Sequence, residues 1–310
     1  MNDNEEYFLE RRLRLLNPEL HQRFRDTVFI AQHLLAKFRR LFPEFTDHSV
    51  FHSLNVQIFC NQLIGAEQIE KLNEYDIYVL LMSCYLHDTG MAITEGDYEE
   101  FKTGVGAEEY FSQNPERTVA EFVRDYHHEF SRLFIIKYAG LLEIPSPELT
   151  FAISQVCRGH RRVDLFDSKE FPAELEISGQ KKVHLPYLSA LIRLADEIDV
   201  VADRNPKLVY DIETIFDRHQ KACHLLLQAV PRMQILPEGF LLDVKTDDEM
   251  LFLAVESVAE KMQATLDLCR EVVLQRSSYQ ISQKWVRINR ICRFDQRQGS
   301  CLEVQVGAEQ

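Results

Sequence analysis

The chain has 310 residues, 45% hydrophobic and 27% charged, with a formal net charge of −14. That is enough apolar material for one large globular domain or two small ones. The acidity disfavours a groove-tracking nucleic-acid binder, whose affinity comes from basic side chains that displace phosphate counterions.

No apolar run approaches the roughly 20 residues that a membrane span needs. The charged start MNDNEEYFLERR does not read as a signal peptide. Seven cysteines show no CxxC spacing, and Cys60, Cys84 and Cys157 sit in apolar stretches. This pattern suggests reduced, mostly buried thiols and a cytoplasmic setting.

Most of the chain reads as helix. Asn17-Pro18 is an N-cap followed by a proline at the first helical position, and apolar residues recur from there to about Phe42. Thr46 or Asp47 can cap a second helix that stops at Gly65. Asn73 can cap a third, which ends at the HDTG turn. Residues 92–116 mix glycines and acids with poor periodicity and read as a loop with at most short helices, placed to act as a lid. A long helix over 116–139 stops at Gly140, and Ser146-Pro147 starts another that carries ISQVCRGHRR. Residues 162–183 read as a second long loop, and LPYLSALIRLADEID as a helix with an apolar face.

After about residue 205 the texture changes. CHLLLQAV and GFLLDVKT read as strands joined through a turn containing Pro and Gly. Thr246-Asp247 can cap a helix over 248–275, and the tail 299–310 reads as disordered. The expected organisation is a helical extension over 1–44, a helical core over 45–204, an α+β appendage over 205–298, and the tail.

The chemistry concentrates on the core helices. His52 lies on the second, and His87 and Asp88 end the third after an apolar run from Tyr78 to Leu86. His127 and His128 share the long helix, His160 ends the next, and Asp196 sits in RLADEID. Taken singly, each has an ordinary reading. A lone helical His is usually a surface or satisfied core residue, Asp88 before Thr-Gly could cap a turn, and Asp196 could pair with Arg193 at i−3. His127 and His128 are neighbours, so one of them is expected to be a bystander, and His48, His184 and His219 are read as ordinary. The joint pattern of His, His-Asp, His, His and Asp on successive helices is not an ordinary one. Imidazole and carboxylate without thiolate suit Mn, Fe, Ni, Co or Zn, and Mg is compatible with the carboxylates.

This pattern resembles the HD-domain metal-dependent phosphohydrolase superfamily over roughly residues 45–200. FHSLNVQIFCNQL, LLMSCYLHDTGM, HHEFSRLFI, VCRGHRR and LIRLADEID are similar to its successive ligand-bearing helices. The resemblance implies a mainly α fold, an HD-type core with a small strand-containing C-terminal appendage. It implies His52, His87, Asp88 and Asp196 as a first metal site, with Asp88 bridging to a second completed by His127 and His160. His127 is preferred to His128 because it stands four residues before Ser131, the small position of that helix pattern. In these terms His87 and Asp88 are the catalytic centre. HDTGM lacks the lysine that many members carry after HD-x-G. No Gly-Tyr-Pro motif, Glu-Asp pair or histidine-rich continuation points to cyclic-di-GMP, alarmone or dNTP hydrolysis. The form looks most like bacterial HD domains found with chaperone-type ATPases and conflict systems.

Phosphoester hydrolysis needs a nucleophile at neutral pH and a sink for developing negative charge, and two metal ions can supply both. Arg158, Arg161 and Arg162 surround His160, and one of them could clamp a phosphate with two hydrogen bonds, with His128 nearby. The expected function is hydrolysis of a phosphoester or phosphoanhydride of a nucleotide or another small phosphorylated molecule by metal-activated water; the expected partner is such a substrate, with neither nucleic acid nor membrane, and a homo-oligomer is compatible. The competing reading is a non-catalytic HD module that binds metal or nucleotide and recruits a protein partner.

Overall fold

A computed structural model describes residues 8–38, 42, 44–201 and 215–291. The tail 299–310 and the first part of the expected appendage, up to residue 214, lie outside the described residues. The fold is mainly α with two small sheets. No helix among the described residues is long and apolar enough to cross a membrane.

Two N-terminal helices, α1 (Phe8–Leu16) and α2 (Pro18–Leu35), join the main core through Leu9, Leu13, Leu20, Phe24 and Ala31. The Asn17 side chain accepts from the Leu20 amide at 3.1 Å, with Pro18 at the first helical position as expected. The described α2 ends at Leu35, short of Phe42, and residues 39–41 and 43 lie outside the description. Helix α3 (Val50–Ile64) is capped by Ser49, three residues after Thr46, and stops at Gly65. A single short turn, α4 (Ala66–Ile69), follows.

Helix α5 (Glu74–Leu86) is the centre of the domain. Asn73 and Asp76 cap each other's backbone amides in a capping box, as the Asn73 signal suggested. Every residue from Ile77 to Leu86 is buried, because α1, α2, α3 and two later helices surround it. Those later helices are α9 (Pro147–Gly159) and α10 (Leu185–Glu197). A helix covered on all sides needs no polar stripe, which accounts for its near-continuous apolar run.

Helix α8 (Val119–Tyr138) starts at a Thr118–Glu121 capping box and is interrupted at Tyr126, whose φ of −114° and ψ of 16° are not helical. Residues 92–116, expected as a loop with at most short helices, carry two helices, α6 (Glu95–Val105) and α7 (Ala107–Gln113), joined at Gly106 with φ 92°. Thr94 and Asp97 form a capping box there. The apolar face that the glycines and acids obscured holds Phe101 and Ala107, in a second aromatic cluster with Phe38, Phe42, Phe122 and Phe130.

The loop over 162–183 contains a hairpin, β1 (Leu175–Ser178) and β2 (Lys181–Val183). Its turn residues Gly179 and Gln180 both have positive φ, the conformation that two-residue hairpins require. CHLLLQAV is not a strand: it lies in helix α11 (Arg218–Ala229), capped by Asp217. A short apolar run cannot be assigned by periodicity alone, and here Gln220, His224 and Leu227 bury one helical face. GFLLDVKT does form a strand, β4 (Gly239–Val244), paired antiparallel with β3 (Arg232–Leu236) and parallel with β5 (Trp285–Arg290). Helix α12 (Glu249–Arg276), capped by Asp248, lies along α10 and carries the sheet.

The buried Asp97 carboxylate ties α6 to α8. It accepts from Lys137 at 2.8 Å, from Tyr138 at 2.7 Å and from Thr94 at 2.7 Å. Burial pushes its pKa up, but these donors outweigh it and leave the pKa at about 2, against an ordinary 3.8. A depressed folded-state pKa stabilises the protein above 3.8, and that contribution is lost as pH falls toward 2. Asp97→Asn should therefore cost about 2 kcal/mol at pH 7, read by urea unfolding. The gap to wild type should close as pH falls from 4 toward 2.

Candidate metal centre

The apolar α5 ends with its last carbonyls facing the interior, and the chain leaves it through His87, Asp88 and a 3-10 turn, Thr89–Ala92. Thr89 Oγ1 donates to the Leu86 carbonyl at 2.8 Å. Gly90 then lies against α8: a Cβ there would sit 2.1 Å from the His127 carbonyl oxygen and 2.7 Å from the Ser131 nitrogen. The Gly90 amide donates to Ser131 Oγ at 2.8 Å, and that hydroxyl donates to the His87 carbonyl at 2.5 Å. Glycine and a small hydroxyl side chain let the two elements meet, and this contact sets His127 opposite Asp88.

The six expected ligands arrive from five places in the fold, His87 and Asp88 side by side at the end of α5, and all are brought together. They form two triads, His52–His87–Asp196 and Asp88–His127–His160, each with donor atoms within 4.8 Å of one another. Asp88 spans both. Its Oδ2 lies 3.5 Å from His52 Nε2 and 3.4 Å from His87 Nε2. Its Oδ1 lies 3.3 Å from His127 Nε2 and 3.8 Å from His160 Nε2. Asp196 Oδ1 lies 3.2 Å from His52 Nε2.

The tautomers follow from the other ring nitrogens. His87, His127 and His160 place Nδ1 against the carbonyls of Cys84, Arg124 and Cys157 at 3.1, 2.5 and 2.5 Å. A carbonyl only accepts, so Nδ1 must carry the proton and Nε2 is a bare lone pair in each neutral ring. His52 Nδ1 is held by Asp199 at 2.6 Å, and Asp199 is fixed in turn by Asn55 at 3.1 Å. The bare nitrogens then face one another: His52 and His87 Nε2 are 3.2 Å apart, and His127 and His160 Nε2 are 2.8 Å apart. Two ring nitrogens at that separation can share a proton or be bridged by a metal ion.

Electrostatics set the same state. Burial lowers the His127 pKa to about 3 and pushes His160 well down, so both rings are neutral at pH 7. Burial pushes the Asp88 and Asp196 carboxyls up. Contacts with the surrounding imidazoles, His87 and His48 at Asp88 and His52 at Asp196, outweigh it and hold both carboxyls well below the usual range. Neutral imidazoles and ionised carboxylates are the forms that bind metal. The donor set, its orientation and its protonation fit divalent transition ions.

Two residues depart from the sequence reading. His48, read as ordinary, places Nδ1 2.6 Å from Asp88 Oδ2, and its ring packs on Phe38 and His52. Its offset of four from His52 was the only signal, and that signal is not helical, because Ser49 caps the helix and His48 precedes it. His128 is buried together with His127, not turned outward as a bystander. It belongs to neither triad, and its ring lies 6.4 Å from that of His160. His184 and His219 are ordinary, the first bound to Asp76 and the second exposed.

The arginines also sort by partner. Arg158 is committed to Glu129 at 2.6 Å and Glu170 at 2.8 Å, so it is not a free phosphate clamp. Arg161 and Arg162 make no side-chain hydrogen bond or ion pair among the described residues. Arg161 is close enough to His127 and His128 to lower both pKa values, that of His128 to about 4, where burial is the larger cause. Arg193 does not pair with Asp196. It donates to the Gly159 and Val163 carbonyls, both at 2.8 Å, and so holds the turn that carries His160.

The chain matches the HD-CE family model across residues 42–276, a span that takes in the five helices carrying the triads and all of α12. No curated protein matches it, and no solved structure matches it.

Two outcomes follow from the geometry. Asp199→Asn should weaken metal affinity by roughly 10- to 100-fold, because it frees the His52 tautomer and orientation; competition with a chelator measures it, and a circular dichroism spectrum should be unchanged. Gly90→Ala should destabilise by about 1–3 kcal/mol and lower metal content, since α8 must retreat from Asp88. Thermal unfolding and elemental analysis of the same sample would show whether the two losses occur together.

Proposed function

The chain belongs to the HD-CE family, and from that membership and the paired triads we propose that it is a metal-dependent phosphohydrolase acting on a small phosphorylated molecule. One observation carries the reading. A single buried carboxylate, Asp88, divides its two oxygens between two pairs of imidazoles whose bare nitrogens face each other. That is the donor arrangement for two neighbouring cations sharing one bridge.

His52, His87 and Asp196 would hold one ion, His127 and His160 the other, and Asp88 both. When bound, such a pair generates a nucleophile from water at neutral pH and takes up charge developing on phosphoryl oxygens. The chain supplies the rest. The Nδ1 contacts to Cys84, Arg124 and Cys157 and to Asp199 keep four rings from rotating, so the donors need little reorganisation. His48 restrains Asp88 from its outer side. Arg161, free of any acid among the described residues, is placed to meet an anionic group next to His127.

Elemental analysis of the purified chain, followed by a screen of phosphomonoesters, phosphodiesters and nucleotides with Mn or Fe, tests this reading. Turnover should be found, and Asp88→Asn should abolish it and lower the metal content while the thermal unfolding transition stays cooperative. Metal bound by the wild type with no turnover across the screen would favour the non-catalytic module instead.

A further inference from the structure

Beside the second triad, a cavity of about 370 Å³ opens between the middle of α8 and the turn after α9. His128 lines it, with its ring 6.1 Å from that of His127 and 6.4 Å from that of His160. The cavity therefore begins where the cradle of metal donors ends. His128 is only 7% exposed, and its Nδ1 is sealed from solvent with no hydrogen-bond partner among the described residues. Nε2 is the ring nitrogen left to the cavity. A buried N–H without an acceptor costs more than a buried lone pair, so the neutral ring keeps its proton on Nε2 and offers it as a donor.

The walls extend this offer. Tyr126 stacks on the His128 ring with planes 15° apart, and Phe171 lines the cavity as well. Asp164 and Asp167 each spend Oδ1 on backbone amides and keep Oδ2 without a hydrogen bond among the described residues. Arg162, also without a partner there, adds a cationic donor. Glu129 and Glu170 are pinned by Arg158, which makes that side a fixed wall. Four carboxylates against two guanidinium groups make the cavity unsuited to a second phosphate. Aromatic faces with neutral and charged donors and free acceptors suit an uncharged, flat group with hydrogen-bonding edges and hydroxyls.

We propose that this cavity is the subsite for the nucleoside part of a nucleotide substrate, with His128 its specificity-determining residue. The proposal rests on the phosphohydrolase reading for the direction of the phosphate, which would point at the triads. The binding of the nucleoside itself needs no hydrolysis, and the test uses that independence.

Calorimetric titration of the purified full chain, as isolated with its metal, with adenosine, guanosine, cytidine and ribose reads the subsite directly. Nucleosides carry no phosphoester, so turnover cannot intervene. At least one nucleoside should bind saturably with one site per chain, at least tenfold more tightly than ribose. His128→Ala and Asp167→Asn should each weaken that binding fivefold or more with metal content unchanged. Asp167 lies on the surface, so its variant keeps the test valid if His128→Ala fails to fold. No nucleoside binding at several millimolar, equal binding of ribose, or binding undiminished in both variants would overturn the proposal. Nucleoside binding without turnover of any phosphoester would retain the subsite and reject the hydrolase. Turnover without nucleoside binding would do the reverse.

Discussion

Four imidazoles reach one carboxylate with their Nδ1 protons already committed, and everything else at the centre depends on that commitment. Three commit to the carbonyls of residues three positions earlier on their own helices, and His52 to Asp199. A carbonyl three residues back is what a histidine at a helix end or a helix break can reach. His87 and His160 are the caps of α5 and α9, and His127 follows the break at Tyr126. These carbonyls thus fix the tautomers, and the tautomers turn the Nε2 lone pairs toward each other.

Convergence of helix ends on one point places demands on packing. Gly90 and Ser131 let the turn after α5 touch α8, Arg193 spans the carbonyls at the end of α9, and α5 is apolar all round because its neighbours enclose it. These residues hold no metal in the reading given above. Yet changing any one of them moves a ligand-bearing helix end relative to the others, and a donor misplaced by even an ångström weakens a site of this kind. The fold and the centre are in this sense a single packing problem.

How much of this was legible beforehand varies with the physics involved. Helices marked by a cap and a long apolar stretch, such as those after Asn17, Asn73 and Ser146, could be read directly because both signals are local. The six residues that the fold gathers into the two triads stood out because histidines and aspartates recurred on successive helices. Helix α6 was hidden because its glycines and acids broke the pattern that Phe101 and Ala107 complete only in three dimensions. Helix α11 was misread because a short apolar run carries no period of its own. His48 escaped because it stands outside any helix, and its relation to Asp88 exists only once α3 and α5 are packed together. Arg193 was offered a nearer acid in the sequence than the carbonyls it takes in the fold.

The same contacts would reconcile a strongly acidic chain with the anionic substrate proposed for it. The centre gathers the carboxylates of Asp88, Asp196 and Asp199, which carry a formal charge of −3. Two divalent ions would turn that into +1, and Arg161 adds one more positive charge at its edge. The net charge of −14 is spread over the whole chain, and exposed charges more than about 10 Å away are largely screened at ordinary ionic strength. Local charge therefore decides what enters, and bound ions would be its largest part. Without cations, facing lone pairs and clustered carboxylates repel one another inside the core. With them, that repulsion becomes binding energy, so occupancy of the centre and stability of the surrounding helix ends are linked through the same atoms.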